Sequence, residues 1–238
     1  MLLEWEAPGP YRVAFSTRLG GASEGPFASL NLGLLTDDEP ERVLENRRRL
    51  CEAAGADGTT AAMVRQVHGS TLLEAAPRGI LSAAVHPEGD GLWTDRPGQA
   101  MALVTADCLP IALCRTDGPP GLAVLHVGWK GLLTGIAEAG ARALGGERLA
   151  AVVGPGIGAC CYEVGEEVAA PYRERFGAGV LRGRRLDLRA ATELALRAAG
   201  CVTVEHVERC NACEAELFFP HRRDRGRTGR QGVIAYVT

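Results

Sequence analysis

TADCLPIALCR (105–115) and GLAVLHVGWKG (121–131) decide how this chain folds. Both are short apolar runs bounded by Gly and Pro. Such runs mark strands buried on both faces, which need no polar alternation. Each run is interrupted by a residue able to do chemistry: Cys108 at the start of the first and His126 near the end of the second.

Working outward, the same reading predicts further strands over 11–16, 61–67, 71–75, 99–105, 149–153, 202–208 and 232–237, with the two opening runs as strands over 109–114 and 121–127. Helices are predicted over 40–54, 131–144, 164–176 and 189–199. The first opens on Pro40 and stops at Gly55, each suited to its end of a helix. Four or five strands come in sequence in the middle of the chain, so strict strand–helix alternation fails. The expectation is an α/β (α+β) layered fold with mixed sheets. No repeat or low-complexity linker divides the chain, so residues 1–238 are expected to form a single domain.

Composition narrows the function. The 238 residues are 46% hydrophobic and 23% charged, ordinary for a globular protein. A net charge of −3 provides no whole-protein basic field for nucleic acid. No apolar run reaches membrane-spanning length. MLLEWEAPGP (1–10) lacks the basic and apolar regions of a signal peptide. A cytoplasmic protein without nucleic-acid or membrane partners is therefore expected, with its eight Cys mostly as thiols. The oligomeric state is left open.

AAMVRQVHGST (61–71) adds His68 to Cys108 and His126. All three stand at or near the end of an apolar run, beside a Gly or Pro that turns the chain. One thiolate and two imidazoles suit zinc, and three protein ligands with an open fourth position form its catalytic arrangement. A rival reading needs no metal: Cys108 as nucleophile, His126 as base, Asp107 nearby. In the bland reading all three are ordinary core residues.

FSTRLGG (15–21), SLNLG (29–33), RQVHG (65–69), DGLWTD (90–95), TADCLPI (105–111), HVGWKG (126–131), GPGIGACCYEVG (154–165) and HRRDRGRTGRQ (221–231) together resemble the laccase-domain, or YfiH-type, family, also called the multicopper polyphenol oxidase family. The resemblance implies a four-layer α/β/β/α domain similar to the catalytic domain of cytotoxic necrotizing factors. It implies zinc on His68, Cys108 and His126. It also implies phosphorolysis of adenosine, inosine, guanosine or methylthioadenosine, with adenosine deamination in some members. The bacterial branch is further linked to editing of peptidoglycan precursors, which matches the Cys108/His126 amide-hydrolase alternative. A non-enzymatic protein with a structural metal is the third class. The chain has five His, with no two separated by a single residue, so a blue-oxidase copper set cannot be built from them. Copper remains a competitor of zinc at the Cys/His₂ ligands.

Phosphorolysis needs a phosphate clamp, and Arg is the natural one. Arg65 is one candidate, although as a strand residue it would face away from His68. The cluster Arg222, Arg223, Arg225, Arg227 and Arg230 is another, represented by Arg222 and Arg223. Asn31 of SLNLG and Lys130, the single lysine, complete the substrate and phosphate candidates. GPGIGACCYEVG could form an anion-binding turn. Asp107 is a candidate proton carrier for deamination, or else braces its turn. Cys210 and Cys213 are read as packed thiols bracing the turn before FFPHRR, with a disulfide as the alternative.

Overall fold

The computed structural model describes residues 2–145 and 148–238. Its elements in chain order are β1 (Leu2–Trp5), β2 (Tyr11–Ser16), α1 (Pro40–Ala54), β3 (Ala62–Met63), β4 (Leu72–Glu74), β5 (Gly91–Thr94), β6 (Met101–Thr105), β7 (Leu109–Arg115) and β8 (Leu122–Val127). The second half contributes α2 (Trp129–Leu133), α3 (Ile136–Leu144), β9 (Leu149–Val153), α4 (Glu166–Phe176), β10 (Leu181–Arg182), β11 (Arg185–Leu186), α5 (Leu188–Ala198), β12 (Cys201–His206) and β13 (Gln231–Val237).

Two large sheets result, both mixed. One runs β1-β2-β13-β6-β3, the other β12-β9-β7-β8-β5-β4. The parallel pairs are β3 with β6, β4 with β5 and β9 with β12. The opening runs form the centre of the larger sheet as antiparallel neighbours, with Leu109 opposite Val127 and Pro110 opposite His126. Period-two alternation sorts their side chains. Leu109, Ile111, Leu113, Ala123, Leu125 and Val127 pack against α2, α3, α4 and α5. Ala112, Cys114, Leu122 and Val124 face the other way, onto Val13, Phe15, Leu103 and Val233 of the smaller sheet. The outer face of that sheet, through Ala14, Ala102 and Ile234, is covered by Leu50, Cys51 and Ala54 of α1. Both faces of each sheet are buried, which is why the central runs lack polar alternation.

Two expectations change, and some elements were not expected. The strand predicted over 61–67 is only β3. Beyond it the backbone leaves the sheet, and the Gln66 side chain substitutes for a strand: its Nε2 donates to the Val104 carbonyl (2.7 Å) and its Oε1 accepts from the Val104 N–H (3.1 Å). The helix predicted over 131–144 is two helices, α2 and α3, because Gly135 takes a left-handed φ of 93° between them. β1, β5 and the β10–β11 hairpin have no counterpart in the sequence reading.

Candidate metal centre

The chain crosses from one sheet to the other twice near the same place. Residues 64–71 lead from β3 to β4, and residues 106–108 lead from β6 to β7. His68 sits on the first crossover and Cys108 on the second. His126, next to last in β8, shares the parity of Leu122 and Val124 and so faces the same inter-sheet side. The metal-ligating atoms of His68, Cys108 and His126 lie within 4.8 Å of one another. The two rings meet edge to face, centroids 4.8 Å apart.

Close approach is built into the backbone. A Cβ on Gly128 would stand 3.0 Å from His68 Cδ2 and 3.1 Å from Cys108 Sγ. His68 itself has a positive φ of 61°, uncommon for a residue with a side chain. Asp90, wholly buried, holds that conformation. Its Oδ1 accepts the His68 N–H (2.8 Å), and its Oδ2 accepts those of Gly69 (2.7 Å) and Val67 (3.3 Å). The same Oδ1 lies 2.8 Å from His126 Nδ1. A carboxylate there fixes Nδ1 as a protonated nitrogen and aims Nε2 at the other two ligands. Burial opposes a charge on the ring, but Cys108 and Asp90 outweigh it and push the His126 pKa up to about 9, so an incoming metal ion would displace the Nε2 proton. Burial would raise the Asp90 pKa, but the contacts with His126 and the backbone amides outweigh it and hold the carboxyl below its usual value.

Burial likewise disfavours the Cys108 thiolate, yet the His126 and His68 contacts bring the thiol down to about 6. A deprotonated thiol, an imidazole oriented by a carboxylate and a second imidazole are the donor chemistry of a Cys/His₂ metal centre, so these residues fit one transition-metal ion.

The three side chains border a cleft of about 610 Å³. Arg65 borders it too, but pairs with Glu88 at the rim. Asp107 lies on the wall in a positive-φ conformation of 126°. Its carboxylate accepts from Asn211 Nδ2 (2.8 Å) and from the backbone N–H groups of Arg222 (2.8 Å) and His221 (3.2 Å). Burial raises its pKa, against those hydrogen bonds. These contacts are those of a brace. Asn31, Lys130, Arg222 and Arg223 do not line the cleft. The buried Asn31 is saturated internally: Nδ2 donates to Thr36 and Asp38, and Oδ1 accepts from Gly33 and Arg230 N–H. Lys130 is exposed over the Trp129 ring. Arg222 covers the Tyr162 ring and donates to the Glu163 carbonyl, while Arg223 turns toward Ala212 and Asp224.

The arginines that do line the cleft with no carboxylate in ion-pair contact, among the described residues, are Arg47 and Arg230. Arg47 is brought down to about 10 by burial. His86 borders the same cleft with a ring whose two nitrogens are buried without a hydrogen-bond partner. Sequence reasoning missed Asp90, Arg47 and His86. Asp90 heads the DGLWTD motif, but nothing local ties it to His68 or His126. Arg230 stood in the basic cluster without being singled out.

A family model described as multi-copper polyphenol oxidoreductase laccase matches residues 12–238. The chain belongs to this family. Relatives of this YfiH-type chain include a purine nucleoside phosphorylase of Pseudomonas aeruginosa, 38% identical over 98% of this chain and 96% of its own length. Another, a purine nucleoside phosphorylase of Deinococcus radiodurans, is 42% identical over 93% and 87%. The crystal structure of YlmD from Geobacillus stearothermophilus superposes with a TM-score of 0.91 at 35% identity, covering 99% of this chain and 96% of that one.

Proposed function

We propose that this protein is a zinc-dependent purine nucleoside phosphorylase of the cytoplasm, converting adenosine, inosine, guanosine or methylthioadenosine and phosphate into free base and ribose 1-phosphate. The observation that carries the reading is the convergence of His68, Cys108 and His126 beside a cleft whose wall holds two arginines without a carboxylate partner. The names of the relatives agree with it. A volume of about 610 Å³ is the scale of a small-molecule site.

His68, Cys108 and His126 would hold the ion, with copper as competitor for the same donors. When bound, the ion supplies fixed positive charge beside the reacting centre. The rest of the work falls to the chain. Arg230 and Arg47 clamp phosphate, since an uncompensated guanidinium gives bidentate, charge-assisted hydrogen bonds. The neutral His86 ring, one nitrogen donor and the other acceptor, matches the mixed edge of a purine. Burial and the positive charges of Arg47 and Arg78 push its pKa down and keep it neutral. Asp107 acts as a positioning residue, holding the backbone of His221 and Arg222 against the Cys108 crossover. Adenosine deamination at the same centre is a side activity on this reading, and a likeness to the cytotoxic necrotizing factor catalytic domain is its structural corollary.

Incubation of purified protein with adenosine, with and without phosphate, tests the proposal by chromatography of the products. Adenine and ribose 1-phosphate only with phosphate are expected. Inosine in both tubes would make the centre a deaminase. No turnover with metal confirmed bound would overturn both, and would favour the Cys108/His126 pair as an amide hydrolase acting on peptidoglycan precursors.

A further inference from the structure

Four thiols gather outside the cleft. Cys160 and Cys161 belong to the turn after Ile157, while Cys210 and Cys213 flank a turn beyond β12. Their Sγ atoms all lie within 4.8 Å of one another. Cys213 Sγ is 3.5 Å from both Cys160 Sγ and Cys161 Sγ. The reading of Cys210 and Cys213 as a packed pair missed this, because their partners come from a distant turn.

The geometry separates the chemical options. A disulfide requires sulfurs about 2.05 Å apart and uses only two of them. Four thiolates on one tetrahedral zinc, with Zn–S of about 2.3 Å, stand about 3.8 Å from each other. The observed spacing fits the second arrangement. The thiolates of an iron–sulfur cluster surround a larger body and stand farther apart than those on one ion. Donors and a cation also stand beside the sulfurs. The Gly158 N–H donates to Cys210 Sγ at 3.2 Å. Arg189 adds positive charge toward Cys210 and Cys160, and its Nε is buried without a partner. Four thiolates on a divalent ion leave a net charge of about −2, which such a cation compensates.

We propose that Cys160, Cys161, Cys210 and Cys213 form a second, structural zinc site with all four positions filled by protein. Its role is to join two turns that support the cleft wall. Beside it the Ile157 N–H donates to the Asp107 carbonyl (2.8 Å), Asn211 N–H to the Gly156 carbonyl (3.2 Å), and Asn211 Nδ2 to the Asp107 carboxylate (2.8 Å). The site stands whatever reaction the cleft performs.

The test is the zinc content of the chain after stripping and reloading with zinc under reducing conditions, together with a count of free thiols in denaturant. Two zinc ions per chain are expected, one in His68→Ala, and one in Cys213→Ser. All eight thiols should titrate once the metal is chelated. Cobalt loaded into His68→Ala should give the intense near-ultraviolet absorption of a tetrathiolate site. Wild-type protein with a single zinc, lost completely in His68→Ala, overturns the proposal. So does protein isolated without reductant that shows six free thiols and a disulfide mapped among these four cysteines. The wild-type and His68→Ala stoichiometries decide the matter even where Cys213→Ser fails to fold.

Discussion

Asp90→Asn removes one charge and changes almost no volume, so its effect can be worked from the hydrogen bonds alone. Two carboxylate oxygens receive four donors: His126 Nδ1 and His68 N–H at Oδ1, Gly69 and Val67 N–H at Oδ2. An amide has one oxygen, so two donors keep an acceptor and two meet an NH₂. The better compromise retains Oδ1 and turns the NH₂ toward Gly69. That releases the 67–69 turn which holds His68 at positive φ. Hydrogen bonds to a charged group contribute about 1.5–3 kcal/mol each, and a buried donor left unpaired costs about 1–3 kcal/mol. The weaker Val67 contact adds little, so the stability loss should be about 3 kcal/mol. Loss of a carboxylate that orients a metal ligand typically costs about 10–100-fold in metal affinity, or about 1.4–2.8 kcal/mol. Competition against a chromophoric chelator measures the second quantity, and denaturant unfolding of the metal-free protein the first. The pH dependence follows in sign. The Asp90 pKa is depressed in the fold, so its stabilisation is complete above the unfolded carboxylate value of about 3.9 and is lost as pH falls through the folded value. The wild type should therefore lose more stability on acidification than Asp90→Asn. Wild-type zinc affinity and wild-type stability in the variant would refute the assignment of Asp90 as the residue that orients both histidines.

Gly128→Ala should weaken zinc binding tenfold or more while leaving the circular dichroism spectrum intact, because its methyl would stand 3.0–3.1 Å from His68 and Cys108. Unchanged zinc affinity would mean that the ligands can shift at no cost. Arg230→Gln should raise the KM for phosphate at least tenfold with a smaller effect on the nucleoside KM, whereas Arg223→Gln, which does not line the cleft, should change neither. His86→Ala should raise the nucleoside KM with little change for phosphate. An equal effect on both substrates would argue against contact with the base.

The sequence by itself determined the elements whose signals are local. α1 has the expected bounds, since Pro40 and Gly55 mark its ends within the chain segment itself. β2, β7, β8 and β9 were legible as apolar runs, and mixed sheets followed from their order. His68, Cys108 and His126 were legible as candidates because each interrupts or ends such a run. What only the tertiary structure decided was which groups meet. Asp90 serves two ligands because β5 pairs with β8 and because the β3–β4 crossover passes over it. Arg47 faces the cleft from α1, on the far side of the smaller sheet, and meets Arg230 there, while Arg222 and Arg223, which share the sequence motif of Arg230, turn away. Cys160 and Cys161 meet Cys210 and Cys213 only because the turns carrying them are held together beside Asp107. Local conformational preferences act over a few residues and leave a sequence signature. Contacts between distant segments arise from packing two sheets face to face, and no single segment carries that information.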